Sequence, residues 1–394
     1  MHELRQKAMD RFVKFWNREL SEEILVDFRK GPNIYDVIAN SKTGESNIPE
    51  FTELKPEGLF LNFEKMFSEK KKAVINPTIF ESLEDDNVGI PVVWIDSDFG
   101  FGVFGDMFGG KIKVRCIKDR AGNIEFNTDS EPVLKSWDDF DSLKFKEDNY
   151  WVQKILSYLD YAAANFANFP TPVALGLLHT FEGGNFVVLL RGETTTLIDF
   201  YDHPREVRKA YEFGYQYSSR FFEMRRSAIM QHNLKVYKND AYAKLGNNQL
   251  LPSLDTDVYA YAGPKIFEKF GFEYKQKIFD RFKGGTLWIH TLGLHLVPIA
   301  GKLENMTNIL FCNDPKQPRA FDKRIDIRKN TYDIPLHLRD CNMDEFLKGL
   351  DEKTLPGGAY YNVYVPADTE VSELNAIMKK VRKYRAGKLS GKPK

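Results

Sequence analysis

GGTLWIHTLGLH, residues 284–295, decides the fold. Its apolar centre, Thr286–His290, is short and is bounded by Gly284–Gly285 and by Gly293, the mark of a buried strand between turns. Upstream lies a helical pattern over Pro264–Phe282, with Pro264 placed after Gly263 where the first helical turn tolerates proline. Downstream the next strand-like run is Asn308–Cys312. The same alternation extends both ways. Strand-like runs stand at Ile90–Ile95, Val173–Leu178, Leu234–Tyr237, Ile334–Leu338 and Ala359–Val365. Helical patterns stand at Trp151–Asn168, Pro204–Gln231, Met343–Leu350 and Glu370–Tyr384. Strands alternating with helices imply βαβ units and a parallel sheet. Seven or eight such units in roughly 300 residues favour a closed (β/α)8 TIM barrel of the α/β class.

Two segments depart from this rhythm. Residues 2–20 carry Leu4, Ala8, Phe12, Phe15 and Trp16 at helical spacing, followed by a short apolar run, Ile24–Phe28. Residues 1–85 are therefore read as an N-terminal helical extension packed on the barrel, residues 86–385 as the barrel, and 386–394 as a basic disordered tail. The stretch KIKVRCIKDRAGNIEFN, residues 111–127, reads as a β-hairpin turning at Ala121–Gly122–Asn123, inserted after the first barrel strand.

Composition narrows the function. The 394 residues carry 56 basic and 56 acidic side chains. Zero net charge argues against a dedicated nucleic-acid binder, which needs a basic face, and against a polybasic membrane-surface protein. The N-terminus is charged every few residues, so it does not read as a secretory signal, and no window supports a membrane span. Cys116, Cys312 and Cys341 are too few for a disulfide scaffold, which fits a reducing cytoplasm. HExxH, P-loop, CxxC and GxSxG patterns are absent. Gly100-Phe-Gly102-Val-Phe-Gly105 matches GxGxxG, but Gly109–Gly110 follow too soon for the crossover helix that would hold a pyrophosphate.

In a barrel of this kind, function sits at the carboxyl ends of the strands. Asp96 and Asp98 end the first run; function and turn capping weigh evenly for the pair, and Asp98 is the one preferred for function. His179 and Glu182 follow the second run in LLHTFEGG (177–184), where two glycines allow close backbone approach to a ligand. Asp255 and Asp257, in LPSLDTDVYAYAGPK, could hold a proton, a metal or a substrate amine. His290 ends its strand and is the strongest single candidate, as acid, base, donor or metal ligand. His295 and Asp314 are weaker candidates, and Cys312 reads as a small core residue.

Taken in order, IDSDFGFGVFGDMFGG (95–110), LLHTFEGG with LRG and LIDFYDHPREV (177–207), LDTDVYAYAGPKIFEKF (254–270), WIHTLG (288–293) and LPGGAYYNVYVP (355–366) resemble the uroporphyrinogen decarboxylase superfamily, which includes cobamide-dependent methyltransferases. The resemblance spans about residues 85 to 385 and implies a (β/α)8 barrel with an N-terminal extension. Two departures stand out. The decarboxylases hold tetrapyrrole acid groups with an Arg-Gln-Ala-Gly-Arg segment, whereas here Arg5-Gln6-Lys7-Ala8-Met9-Asp10-Arg11 reads as an amphipathic helix. The decarboxylases also carry a late histidine, absent from Asn362–Pro366. The methyltransferases bind zinc through His-x-Cys and a distant Cys. His290 matches the histidine, Leu292 stands at the first cysteine, and Tyr364–Ala367 hold no second one.

The resemblance implies an enzyme, either a methyltransferase working with a corrinoid partner, slightly favoured, or a lyase that decarboxylates a tetrapyrrole or another carboxylic acid. A non-catalytic ligand-binding barrel is the third reading. The expected catalytic residues are His290, Asp257 and Asp98. Those expected to bind a small-molecule or tetrapyrrole substrate are His179, Glu182, Asp255 and Tyr364. No cofactor is fixed by these residues; a corrinoid partner or a divalent metal at His290 is what the resemblance would add. Decarboxylation requires cations in the barrel mouth, for which Arg191, Arg205, Arg319 and Arg339 are available.

Overall fold

The structure, a computed structural model, describes residues 3–31, 63–64, 67–68, 82–88, 92–93, 102–118, 124–168, 174–175, 178–179, 183–232, 237–238 and 250–387. At 92–93, 114–118, 124–127, 174–175, 178–179 and 237–238 it describes the backbone alone. Among the candidates, Asp96, Asp98 and Glu182 lie outside the described residues, as does the hairpin turn 121–123.

The chain is α/β. A seven-stranded sheet runs in the order β1 (Ile24–Lys30), β12 (Ala359–Val365), β11 (Leu336–Asn342), β10 (Asn308–Cys312), β9 (Thr286–His290), β8 (Pro252–Leu254) and β6 (Leu178–His179). Every pairing in it is parallel. A second sheet places β5 (Ala174–Leu175) between β2 (Val92–Val93) and β7 (Tyr237–Lys238), again in parallel. β5 lies within the single expected run Val173–Leu178, and β6 begins at its last residue. The described strands do not close a ring, because no pairing joins β1 to β2 among the described residues. The expected hairpin is present: β3 (Ile112–Lys118) pairs antiparallel with β4 (Ile124–Ser130). The segment after Gly100 forms a helix of only five residues, Gly102–Asp106, before β3, too short for a dinucleotide crossover helix.

The run Ile24–Phe28, read from sequence as part of the extension, is hydrogen-bonded to β12 along its whole length, from Ile24–Ala359 to Lys30–Val365. Its other edge is covered by residues 82–88. Val26 N–H donates to Asp86 Oδ2 (2.9 Å) and Phe28 N–H to Asp85 Oδ2 (3.2 Å), so carboxylates satisfy the strand donors that a neighbouring strand would otherwise take. Asp86 is fully buried and also accepts from Arg11 (3.0 Å) and Arg382 (2.7 Å). Three distant parts of the chain are thereby tied to one carboxylate.

Side chains alternate across a strand, so the two faces of the sheet can be read separately. One face presents Ile24, Val26, Phe28, Leu254, Leu287, Ile289, Ile309, Phe311, Leu336, Leu338, Tyr361 and Val363, all buried in the main core. The helices cover it, as patterning predicts, including Tyr150–Ala167, Pro204–Met230 and Val371–Lys383. The opposite face is polar: Asp27 and Arg29 on β1, Asn362 and Tyr364 on β12, His337 and Arg339 on β11, Cys312 on β10 and His290 on β9. At its amino end, helix α1 (Glu3–Trp16) buries Ala8, Met9, Phe12, Phe15 and Trp16 in one cluster with Leu25, Tyr360 and Leu251. Tyr360 lies on β12 and Leu251 just before β8, four places apart in strand order. In a flat sheet that separation would be roughly 19 Å, at about 4.8 Å per strand. The sheet therefore curls around α1, and the helix floors the polar face.

Candidate active site

β9 delivers His290 at its carboxyl end, and the following residues turn directly into a 3-10 helix, Thr291–Leu296. His290 Nδ1 lies 2.7 Å from Asp314 Oδ1, the residue just beyond β10. Asp314 is itself clamped: Leu292 N–H donates to Oδ2 (2.9 Å), while the Asp314 N–H donates to Thr291 Oγ1 (2.8 Å). With Nδ1–H donating to the Asp314 carboxylate, Nε2 is left as the acceptor of the ring. That nitrogen faces Asp257 Oδ1 at 3.9 Å. The imidazole is 40% exposed and Asp257 is 50% exposed, so both retain access to a ligand.

Asp257 opens the helix Asp257–Ala262 after Thr256. Its neighbour Asp255 is held in place: Oδ2 accepts from Asn185 (2.6 Å) and Oδ1 from the Asp257 N–H (3.3 Å). Asn185 reaches it because the helix Gly183–Arg191 approaches closely. A Cβ on Gly184 would fall 2.2 Å from Val258 Cγ1, so this approach requires glycine. The Asp255 charge, followed by burial, pushes the Asp257 carboxyl up to about 7, against the opposing pull of His290 and buried Lys275. Near neutral pH, Asp257 therefore exists in both forms. A half-protonated carboxyl facing an oriented imidazole is an arrangement suited to proton donation.

A second group lies on the same face. Cys312 sits directly beside His290 in register, and the Arg339 guanidinium donates to its sulfur at 3.9 Å. His337 Nε2–H donates to Asn362 Oδ1 (2.6 Å), and Asn362 donates to Asp27 (3.0 Å). Asp27 also accepts from Asn87 (3.0 Å) and Arg29 Nε (3.1 Å). Burial, with the nearby Arg339 and Arg29 charges, drops His337 to about 3, so its ring is neutral. Tyr364 stands opposite Arg29 on the adjacent strand, and its phenol is raised by burial. It also borders a cavity of about 800 Å³ with Gly31, Asn342 and Pro366.

The structure thus brings together His290, Asp257 and Asp255 of the expected residues, and sets Tyr364 apart from them, by Arg29. His179 ends β6 opposite Ser253, with only its backbone described. Sequence reasoning ranked Asp314 low and did not find Asn185, Arg29 or Asp27. Arg29 and Asp27 carried a usable signal, since period-2 alternation within Ile24–Lys30 puts both on one face; Asn185 carried none. Of the arginines proposed for a cationic mouth, Arg339 lies on this face, whereas Arg191 is engaged with Asp199 (2.9 Å) and Arg319 with Glu345 (2.5 Å).

The zinc–thiolate set does not fit. Leu292 offers only its backbone, already given to Asp314, and one nitrogen of His290 is taken by the same carboxylate. Among the described residues no group of three or more His, Cys, Asp or Glu converges on one point. Nor, among them, is any helix long and apolar enough to cross a membrane. No family model matches the chain, and no curated protein matches it. Among solved structures it is similar to a methyltransferase from Methanosarcina mazei, with 9% identity over 95% of this chain and 98% of that one and a TM-score of 0.46. Likeness of that degree carries no argument about the reaction.

Proposed function

We propose that the chain is an enzyme of the uroporphyrinogen decarboxylase superfamily, a (β/α)8 barrel in which β1 and β2 are neighbours, and that it transfers a methyl group with a corrinoid protein as partner. The observation that carries the proton-donating part is the Asp257–His290–Asp314 array, with Asp257 raised to about 7. An ether oxygen or amine nitrogen is a poor leaving group until it is protonated. In this reading Asp257 gives its proton to that atom as the carbon–heteroatom bond breaks. The bonding pair stays with the leaving group, and the methyl carbon accepts a new pair from the partner's nucleophile. His290, held by Asp314, lies beside Asp257, and its free Nε2 takes up a proton from water and passes it to the Asp257 carboxylate, which restores the acid. Asp255 raises the acid, and Asp98 and His179 position the substrate.

The test supplies reduced free cobalamin with methanol, methylamines and aryl methyl ethers and follows the corrinoid spectrum. Methylation abolished by Asp257→Asn and His290→Ala supports the reading. No methylation with any donor, or methylation untouched by both substitutions, overturns it.

A second reading, decarboxylation, is favoured by Arg29 and Arg339 on the polar face, since a carboxylate substrate needs cations. There Asp257 would protonate the carbanion left as carbon dioxide departs. Release of carbon dioxide from a porphyrinogen carboxylate, without corrinoid methylation, would decide for it.

A further inference from the structure

We infer that the substrate carries a single anionic group, seated on Arg339 with Arg29 as the second cation, on the same face of the sheet as His290. This rests on the polar face being the active site, and holds for either reaction. Arg339 is partly buried, and among the described residues its guanidinium makes one hydrogen bond, to the Cys312 sulfur at 3.9 Å. A thiol leaves most of a guanidinium's five donors unanswered. Arg29 sits across from Tyr364, two residues beyond Asp27 on β1. Two residues before Arg339 on β11, and on the same face, lies His337, 4% exposed, whose Nδ1 has no hydrogen-bond partner among the described residues. Its neutral ring can accept but adds no charge.

Register fixes the spacing. Cys312 pairs with His290, and the β10–β11 pairing of Leu310 with His337 carries Cys312 to the level of Arg339. Arg339 thus stands two strands from His290, roughly 10 Å at the usual strand spacing. A compact molecule spans that distance. The charge balance limits the ligand. Asp27 is committed to Arg29 at 3.1 Å, and Asp340 accepts from Asn313 at 2.9 Å. Arg339 is left with no carboxylate partner among the described residues, and its charge is enough for one carboxylate or a similar monoanion. A tetrapyrrole with many acid groups would need several more cations than Arg29 and Arg339.

The test uses benzoate and benzamide as probes in ligand-observed NMR titrations of the whole protein. Benzoate is expected to bind and benzamide to bind at least about tenfold more weakly, because charge-assisted bonds to arginine are lost with the charge. Arg339→Gln should weaken benzoate at least about tenfold, and Arg339→Lys by less. His290→Ala should leave benzoate affinity within about threefold. Benzamide binding as tightly as benzoate, no benzoate binding to the unsubstituted protein, or undiminished binding by folded Arg339→Gln would each overturn the inference. The benzoate–benzamide comparison needs no variant, so a misfolded variant does not leave the inference untested. If Arg339→Gln loses benzoate while His290→Ala remains fully active, the anion site stands and the proton-donating array falls.

Discussion

His290 and Asp314 are separated by 24 positions in sequence, yet their side chains meet at 2.7 Å because His290 ends β9 and Asp314 stands two residues past the end of β10, the adjacent parallel strand. The contact leaves the imidazole with one free nitrogen and aims that nitrogen at Asp257.

Replacing Asp314 by Ala should therefore act through His290. The imidazole loses the acceptor that selects its tautomer, and turnover should fall about 10²–10⁴-fold, the range for disabling acid–base catalysis. The side chain is only partly buried, so the melting temperature should move by a few degrees at most. Full turnover in folded Asp314→Ala would remove this residue from the mechanism.

Asp257 sets the pH dependence. A proton donor must be protonated, so the rate should fall as pH rises through about 7. Replacing Asp255 by Asn removes the main cause of the raised value, and the falling limb should shift toward lower pH. Rate–pH profiles of the two proteins check this. A limb that stays in place would show that Asp255 is not what tunes the acid.

His337 makes a prediction about stability. Its folded value of about 3 lies below the ordinary 6.5. Between these values the unfolded chain binds the proton and the folded chain does not, so stability falls as pH drops from about 6.5 toward 3. Urea midpoints measured between pH 7 and 4 should decline, and His337→Gln should flatten that decline. An unchanged slope in the variant would place the acid sensitivity elsewhere.

Asp86 is the most demanding structural carboxylate. Replacing it by Ala removes, at a fully buried point, the acceptor of the Val26 N–H and one acceptor each of Arg11 and Arg382. Breaking a buried pair in this way costs about 3–5 kcal/mol, readable as a fall in the urea midpoint. A loss below about 1 kcal/mol would show that water replaces the carboxylate.

The strands Thr286–His290, Asn308–Cys312 and Ala359–Val365 and the helix starting at Pro204 are local facts, and they were legible. Short apolar runs between glycines and a proline at a first helical turn depend only on neighbouring residues. The same locality made His290 and Asp257 visible, because each stands where a strand ends or a helix begins. Other features depended on contacts that no spacing encodes. Ile24–Lys30 looked like part of an extension because its partner, β12, is more than 300 residues away. Asn185 reached Asp255 only because Gly184 let a helix approach. Asp314 was an ordinary loop aspartate until Leu292 and Thr291 clamped it to His290. Arg339 was one arginine among several until strand alternation and register put it on the face that holds His290, with Cys312 between them. Sequence by itself determined the periodicity, and with it the α/β class and the strand ends where chemistry would lie. Tertiary structure decided which of those ends meet, because charge, burial and hydrogen bonding act across space and only folding sets those distances.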